Sequence, residues 1–214
     1  MNENNDTSKP IPKSKEEGLL GLSQQDILSY LKGFNPNKAL PKKVHELLIG
    51  YIFVQFLKED EKEVAIIGFP AAKDWQDNCP QKEITIDWLI KYGKKLISDK
   101  DVDIKINVKN WMANFQVVRY VFRAGKKPCR ELAQLIKYKC GKYKKTPNLN
   151  LIVSIECKPR ITVDEIKNLL TTSNIPFEGI FLIMKASSER GHFTYSQLYP
   201  KQIIGKEIRI RLPI

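Results

Sequence analysis

Histidine is nearly missing from this chain: His45 and His192 are the only two in 214 residues. The four cysteines, Cys79, Cys129, Cys140 and Cys157, stand at separations that fit no zinc pattern. Together these argue against a structural zinc centre, and the cysteines read as free thiols of an intracellular protein. No apolar run is long enough to span a bilayer. The opening MNENNDTSKPIPKSKEEG is polar and lacks the apolar core of a secretory signal. The expectation is a cytoplasmic protein without a membrane segment. A phosphate-cradling glycine loop is absent too, since GKY and IGKE lack the spacing, which argues against nucleotide hydrolysis. His192 has no evident Ser or Cys partner, so a hydrolytic triad is not expected. There is no internal repeat, RNA-recognition signature or classical DNA-binding motif.

What the chain has is positive charge. Its 36 Lys and Arg outweigh 24 Asp and Glu, for a formal charge of +12 and a pI near 9.4. Such a balance favours an acidic partner, nucleic acid first and an anionic membrane surface second. A lysine-rich composition kept for solubility would give the same sum. The charge is concentrated between Lys126 and Lys145. There Lys126, Lys127, Arg130, Lys137, Lys139, Lys142, Lys144 and Lys145 surround one acid, Glu131, with Tyr138 and Tyr143 interleaved. A cluster of this kind neutralises phosphates, each contact adding to salt-sensitive binding. Apolar residues make up 42% of the chain, enough for a sizeable core.

The pattern divides the chain into a polar tail over 1–18 that is expected to be disordered, a helical segment over 19–60 and an α/β domain over 61–214. In LSQQDILSYLKGF, Ser23 suits a helix N-cap with Asp26 three residues on. Pro41 then opens a long helix with Val44, Leu47, Leu48, Tyr51, Ile52 and Leu57 facing the core. His45, among them, reads as structural. EVAIIGFP reads as a buried strand, and Ile86, Leu89 and Ile90 favour a helix over KEITIDWLIKYGKKLI. VDIKINV alternates, with Val102, Ile104, Ile106 and Val108 on one face; NWMAN reads as a turn and FQVVRYVF as the hairpin partner. Pro128 opens a helix with Leu132, Ile136, Cys140 and Tyr143 along one side. LNLIVSIE is a third strand, TVDEIKNLLTT a helix capped by Thr162 with Glu165, FEGIFLIMK a fourth strand and IGKEIRIRLP a last edge strand. His192 falls in a polar segment after the fourth strand. The order strand, strand, helix, strand, helix, strand predicts a mixed central sheet flanked by helices.

That order, together with the placing of its acids, resembles the core of the PD-(D/E)XK nuclease superfamily, over roughly residues 80–185. The resemblance implies a restriction-endonuclease-like fold. It also implies a site in which an acid early on one strand pairs with acid-x-lysine on its hairpin partner, often with a further acid from an earlier helix. Asp103 occupies the first place. Gln116 and Val118 stand where the acid and the lysine would be, and Glu83 would be the extra acid. The implied catalytic set is Glu83, Asp103 and Gln116, with Mg²⁺ held by Asp103 and Gln116. Glutamine offers a carbonyl oxygen without charge, and valine cannot replace lysine. Arg119 is adjacent, but strand alternation turns it to the opposite face.

A second register competes. Glu156 and Lys158 close LNLIVSIECK as an acid-x-lysine pair. The element before them is a helix and not a hairpin strand, and the only acid on it is Glu131. Charges flanking a strand end before Pro159 are also what reaching water produces. The chain is therefore expected to be a nucleic-acid-associated protein, DNA ahead of RNA. It is either a Mg²⁺-dependent phosphodiesterase or a non-catalytic binding or interaction subunit of a DNA-processing or defence complex, with protein partners or a homodimer in view. Seven residues are assigned to phosphate contact: Lys126, Lys127, Arg130, Lys137, Lys142, Lys144 and Lys145.

Overall fold

The structure is a computed structural model. It describes residues 19–23, 25, 27–29, 42–57, 65–70, 102–108, 111–122, 125–144, 148–156, 161–171, 174–185, 192–200 and 203–209. Eight strands form one mixed sheet in which spatial order equals chain order. They are β1 (Leu19–Ser23), β2 (Ala65–Pro70), β3 (Ile104–Val108), β4 (Trp111–Tyr120), β5 (Leu149–Ile155), β6 (Gly179–Lys185), β7 (His192–Tyr199) and β8 (Ile203–Arg209). The described helices are α1 (Lys42–Leu57), α2 (Pro128–Lys142) and α3 (Val163–Leu170). β4, β5 and β6 run parallel. Every other neighbouring pair is antiparallel. The parallel block is where α2 and α3 intervene between strands, as a parallel connection requires.

Two apolar layers sandwich the sheet. One packs α1 against Ile104, Ile106, Phe115, Val117, Ile152, Phe181 and Tyr195. The other packs α2 and α3 against Val118, Leu151, Val153, Ile155, Ile180 and Leu182. Alternation along β4 and β5 assigns successive residues to opposite layers, and β5 is buried along its whole length. That is the expected state of a strand covered on both faces, so LNLIVSI is a central strand. Helix α1 is buried around most of its circumference from Val44 to Phe56, consistent with a helix apolar on nearly all sides. It lies so close to the sheet at Gly50 that a Cβ there would come within 2.8 Å of Ile67 and 2.9 Å of Ile104. Phe53 sets its ring edge-on to Phe115 and Phe181, both at 5.0 Å between centroids, a favoured aromatic geometry.

Several expectations need correction. The 19–60 stretch, expected to be helical throughout, opens with strand β1 of the same sheet, whose last residue Ser23 pairs with Ile66 and is followed by helical residues at 25 and 27–29. Val102 packs in the α2/α3 layer while Ile104 and Ile106 face α1, because β3 starts only at Ile104. NWMAN is not a turn, since Trp111 to Asn114 already belong to β4 and Val108 pairs with Trp111. His192 begins β7. Thr162 takes the N-cap position of α3 but makes no side-chain cap hydrogen bond. The helix expected around Ile86 lies outside the described residues.

Candidate functional site

Asp103 immediately precedes β3. Its main-chain N–H donates to the Phe115 carbonyl at 2.9 Å, and the pairing of Ile104 with Phe115 sets Asp103 opposite Gln116 on β4. The Val117 N–H donates to Asp103 Oδ2 at 2.9 Å, which fixes one carboxylate oxygen. The other faces the ammonium of Lys42, in the first turn of α1, at 3.4 Å.

The same ammonium reaches a second carboxylate. Lys42 Nζ is 3.3 Å from Glu46 Oε1, and Lys43 Nζ is 2.9 Å from Glu46 Oε2. The Glu46 side chain is only 1% exposed. Neither of its oxygens has a hydrogen-bond partner of good geometry, so these close ammonium contacts hold them by charge alone. Burial pushes the Glu46 carboxyl above its ordinary range; the charge of Asp103 adds to that, while Lys43 and Lys42 oppose it. For Lys42, burial works against the charged form, but Asp103 and Glu46 outweigh it and hold its pKa above the ordinary value. The charge of Asp103 thus adds to the cost of ionising Glu46, and the two acids share one cation.

Gln116 is buried. Lys139, in the last turn of α2, brings its Nζ to 3.5 Å from Gln116 Oε1. Burial lowers the Lys139 pKa; Asp103 pulls it back, and Lys142 and Lys42 push with the burial. The site therefore gathers Glu46 from α1, Asp103 from the approach to β3, Gln116 from β4 and Lys139 from α2. Val118 packs in the apolar layer beneath α2.

Asp103 and Gln116, read from the sequence as a pair, are brought together. Glu83 lies outside the described residues, as does Lys145. Glu46 and Lys139 were not singled out as site residues. The signal for Glu46 was available: it is the one acid inside the apolar run VHELLIGYIFVQFL, where an unpaired charge is expensive. Lys139 was submerged among its basic neighbours. Among the described residues no group of three or more His, Cys, Asp or Glu is arranged to hold a metal ion.

Glu156 belongs to a different cluster. Its N–H donates to the Tyr120 carbonyl just past the end of β5. The Arg119 guanidinium grips its carboxylate through Nε and Nη2. His45 Nδ1 stands 4.0 Å away. Glu131, the other acid of that register, accepts from the Tyr120 hydroxyl at 2.8 Å. Glu156 is thus the partner of Arg119, while Lys158 lies outside the described residues.

The cations Arg130, Lys137 and Lys142 of α2 are exposed, as are Lys126 and Lys127 just before its start and Lys144 just beyond its end. Tyr138 among them is 58% exposed, with Lys142 Nζ 4.4 Å above its ring. No described helix is long and apolar enough to cross a membrane. No protein-family model, curated protein or solved structure matches the chain.

Proposed function

We propose that this chain is a divalent-metal-dependent phosphodiesterase of restriction-endonuclease-like fold that acts on nucleic acid, DNA ahead of RNA. One observation carries the reading: a single ammonium, Lys42 Nζ, lies within 3.4 Å of both Glu46 and Asp103, beside Gln116 and Lys139. Charge contacts alone do not complete the oxygens of Glu46, and a hard cation suits such a donor set. Glu46, Asp103 and Gln116 would hold Mg²⁺, which supplies charge neutralisation at the phosphate and a more acidic water. The helix-borne Glu46 takes the place assigned to Glu83, and Lys139 offers from α2 the ammonium that Val118 cannot offer from β4.

The remaining roles belong to this chain's own groups. The Val117 N–H fixes Asp103 in one rotamer. Lys139, its pKa lowered by burial, sits where it can orient a water by hydrogen bonding and take up or give back its proton. The exposed cations of α2 hold the flanking phosphates.

A specific observation supports a second reading, in which the chain binds nucleic acid without cutting it: no third acid, histidine or cysteine joins Glu46 and Asp103 among the described residues. The discriminating experiment offers single- and double-stranded DNA, and RNA, with Mg²⁺ or Mn²⁺ and with EDTA. Metal-dependent cleavage supports the first reading. Salt-sensitive binding with no cleavage of any substrate overturns it in favour of the second.

A further inference from the structure

On the α1 side of the sheet, where the parallel strands β4, β5 and β6 end, lies a cleft of about 420 Å³. The carboxyl ends of parallel strands are the usual place for ligands in open α/β sheets, and the volume falls within the ~300–1,000 Å³ of small-molecule pockets. Its floor is aliphatic, from Leu48, Ile49 and Ile52 of α1 and Ile183 of the sheet, with Phe193 at one side. Its polar lining consists of His45, Arg119, Ser154, Glu156 and Lys185.

These groups differ in what they have left to offer. Glu156 occupies Nε and Nη2 of Arg119, which orients the guanidinium and leaves Nη1 without a partner among the described residues. Lys185 has no ion pair among them. The polar lining therefore carries two cations against one acid, and that acid is already committed to a cation. An apolar floor with a ring at its side accepts a flat, weakly polar body. A guanidinium with a free edge and a nearby ammonium accept a phosphate.

We propose that this cleft binds one unpaired nucleotide, with its base on the aliphatic floor beside Phe193 and its phosphate on Arg119 and Lys185. The choice of a nucleotide among ring-bearing anions rests on the nucleic-acid reading given above. The cleft adjoins that site. His45 and Glu46 are consecutive on α1, one turned to Glu156 and the other ion-paired beside Asp103. Arg119 follows Gln116 by three positions on β4, about 10 Å along a strand. A nucleotide held here is unstacked, which makes single-stranded nucleic acid the preferred substrate class over duplex.

The test is titration of the full chain with 5′-AMP in EDTA, which silences any metal site, followed by calorimetry or by chemical-shift changes. Saturable binding is expected, weakened about tenfold by Lys185→Gln and by Arg119→Gln, and clearly weakened by Phe193→Ala. Adenosine and ribose 5-phosphate should each bind more weakly than 5′-AMP, and Asp103→Ala should bind it as wild type does. Absence of saturable binding at millimolar 5′-AMP overturns the inference. So does binding that ignores Lys185→Gln and Phe193→Ala but is lost on Lys137→Gln with Lys142→Gln, which locates the anion on α2. If 5′-AMP fails to bind while DNA is cleaved with Mn²⁺, the cleft alone is wrong. If 5′-AMP binds as expected and no nucleic acid is cleaved, the cleft stands and the phosphodiesterase reading falls.

Discussion

Lys139 on α2 points its ammonium at the side-chain oxygen of Gln116 on β4, at 3.5 Å across the interface of helix and sheet. Gln116 cannot ionise, so Lys139 is not neutralised there, and burial lowers its pKa. A lysine poised in this way is suited to proton transfer. Lys139→Ala should reduce metal-dependent cleavage by roughly a hundredfold or more while nucleic-acid affinity falls less than tenfold. Lys139→Arg, which keeps the charge but cannot give up its proton, should restore affinity and not rate. Single-turnover rates and binding isotherms for both variants check this.

Lys42 holds the position between Glu46 and Asp103 that a divalent cation would take. Its side chain is 75% exposed, so it can leave at little cost. Lys42→Ala removes the competing charge, and Mn²⁺ should bind several-fold more tightly, as read by paramagnetic resonance of free Mn²⁺. Unchanged or weaker Mn²⁺ affinity would mean that Lys42 is not competing for the cation's place.

The buried carboxyl of Glu46 sets a pH dependence. Its folded pKa is raised above the unfolded value by burial and by Asp103. A raised acid favours folding while protonated; that contribution is complete below the ordinary carboxylate range and is lost as pH rises through the folded value. Without metal, Glu46→Gln should therefore raise the melting temperature at pH 7–8, by about 2–4 °C for each kcal/mol relieved, and leave it nearly unchanged near pH 4. Melting curves at the two pH values decide the sign. Mn²⁺ affinity of the unsubstituted chain should fall with acidification over the same window.

The exposed cations of α2 should act as a phosphate-binding face. Lys137→Gln with Lys142→Gln should weaken binding to all sequences alike. It should also lower the slope of log affinity against log salt by about 1.4–1.8, the loss of two phosphate contacts. A slope that does not change would place the nucleic acid elsewhere.

Much of this was legible in the amino-acid sequence. Alternation in VDIKINV and FQVVRYVF, and the unbroken apolar run in LNLIVSI, located β3, β4 and β5, and with them the pairing of Asp103 with Gln116. The Pro128 start and the apolar side of α2 were equally plain. Three things were hidden for physical reasons. β3 begins one residue after Asp103, so Val102 escapes the alternation and packs in the other layer. β4 starts at Trp111, earlier than the polar residues of NWMAN suggest, because Asn114 can sit in a strand interior beside its neighbours' ladder. Glu46 and Lys139 are distant in sequence from Asp103, and only the packing of α1 and α2 on opposite faces of the sheet brings them to it.

The Glu-Cys-Lys ending of LNLIVSIECK offers the sharpest contrast. It carries the better short motif, yet its acid is clamped by Arg119, whereas the weaker motif at Asp103 and Gln116 has Lys42, Lys139 and the buried acid Glu46 around it. Cleavage of single- and double-stranded DNA with Mn²⁺ by the unsubstituted chain, Asp103→Ala and Glu156→Ala decides between the two acids. Cleavage is expected from the unsubstituted chain and from Glu156→Ala, with its loss in Asp103→Ala. Cleavage that survives Asp103→Ala and disappears with Glu156→Ala would contradict it.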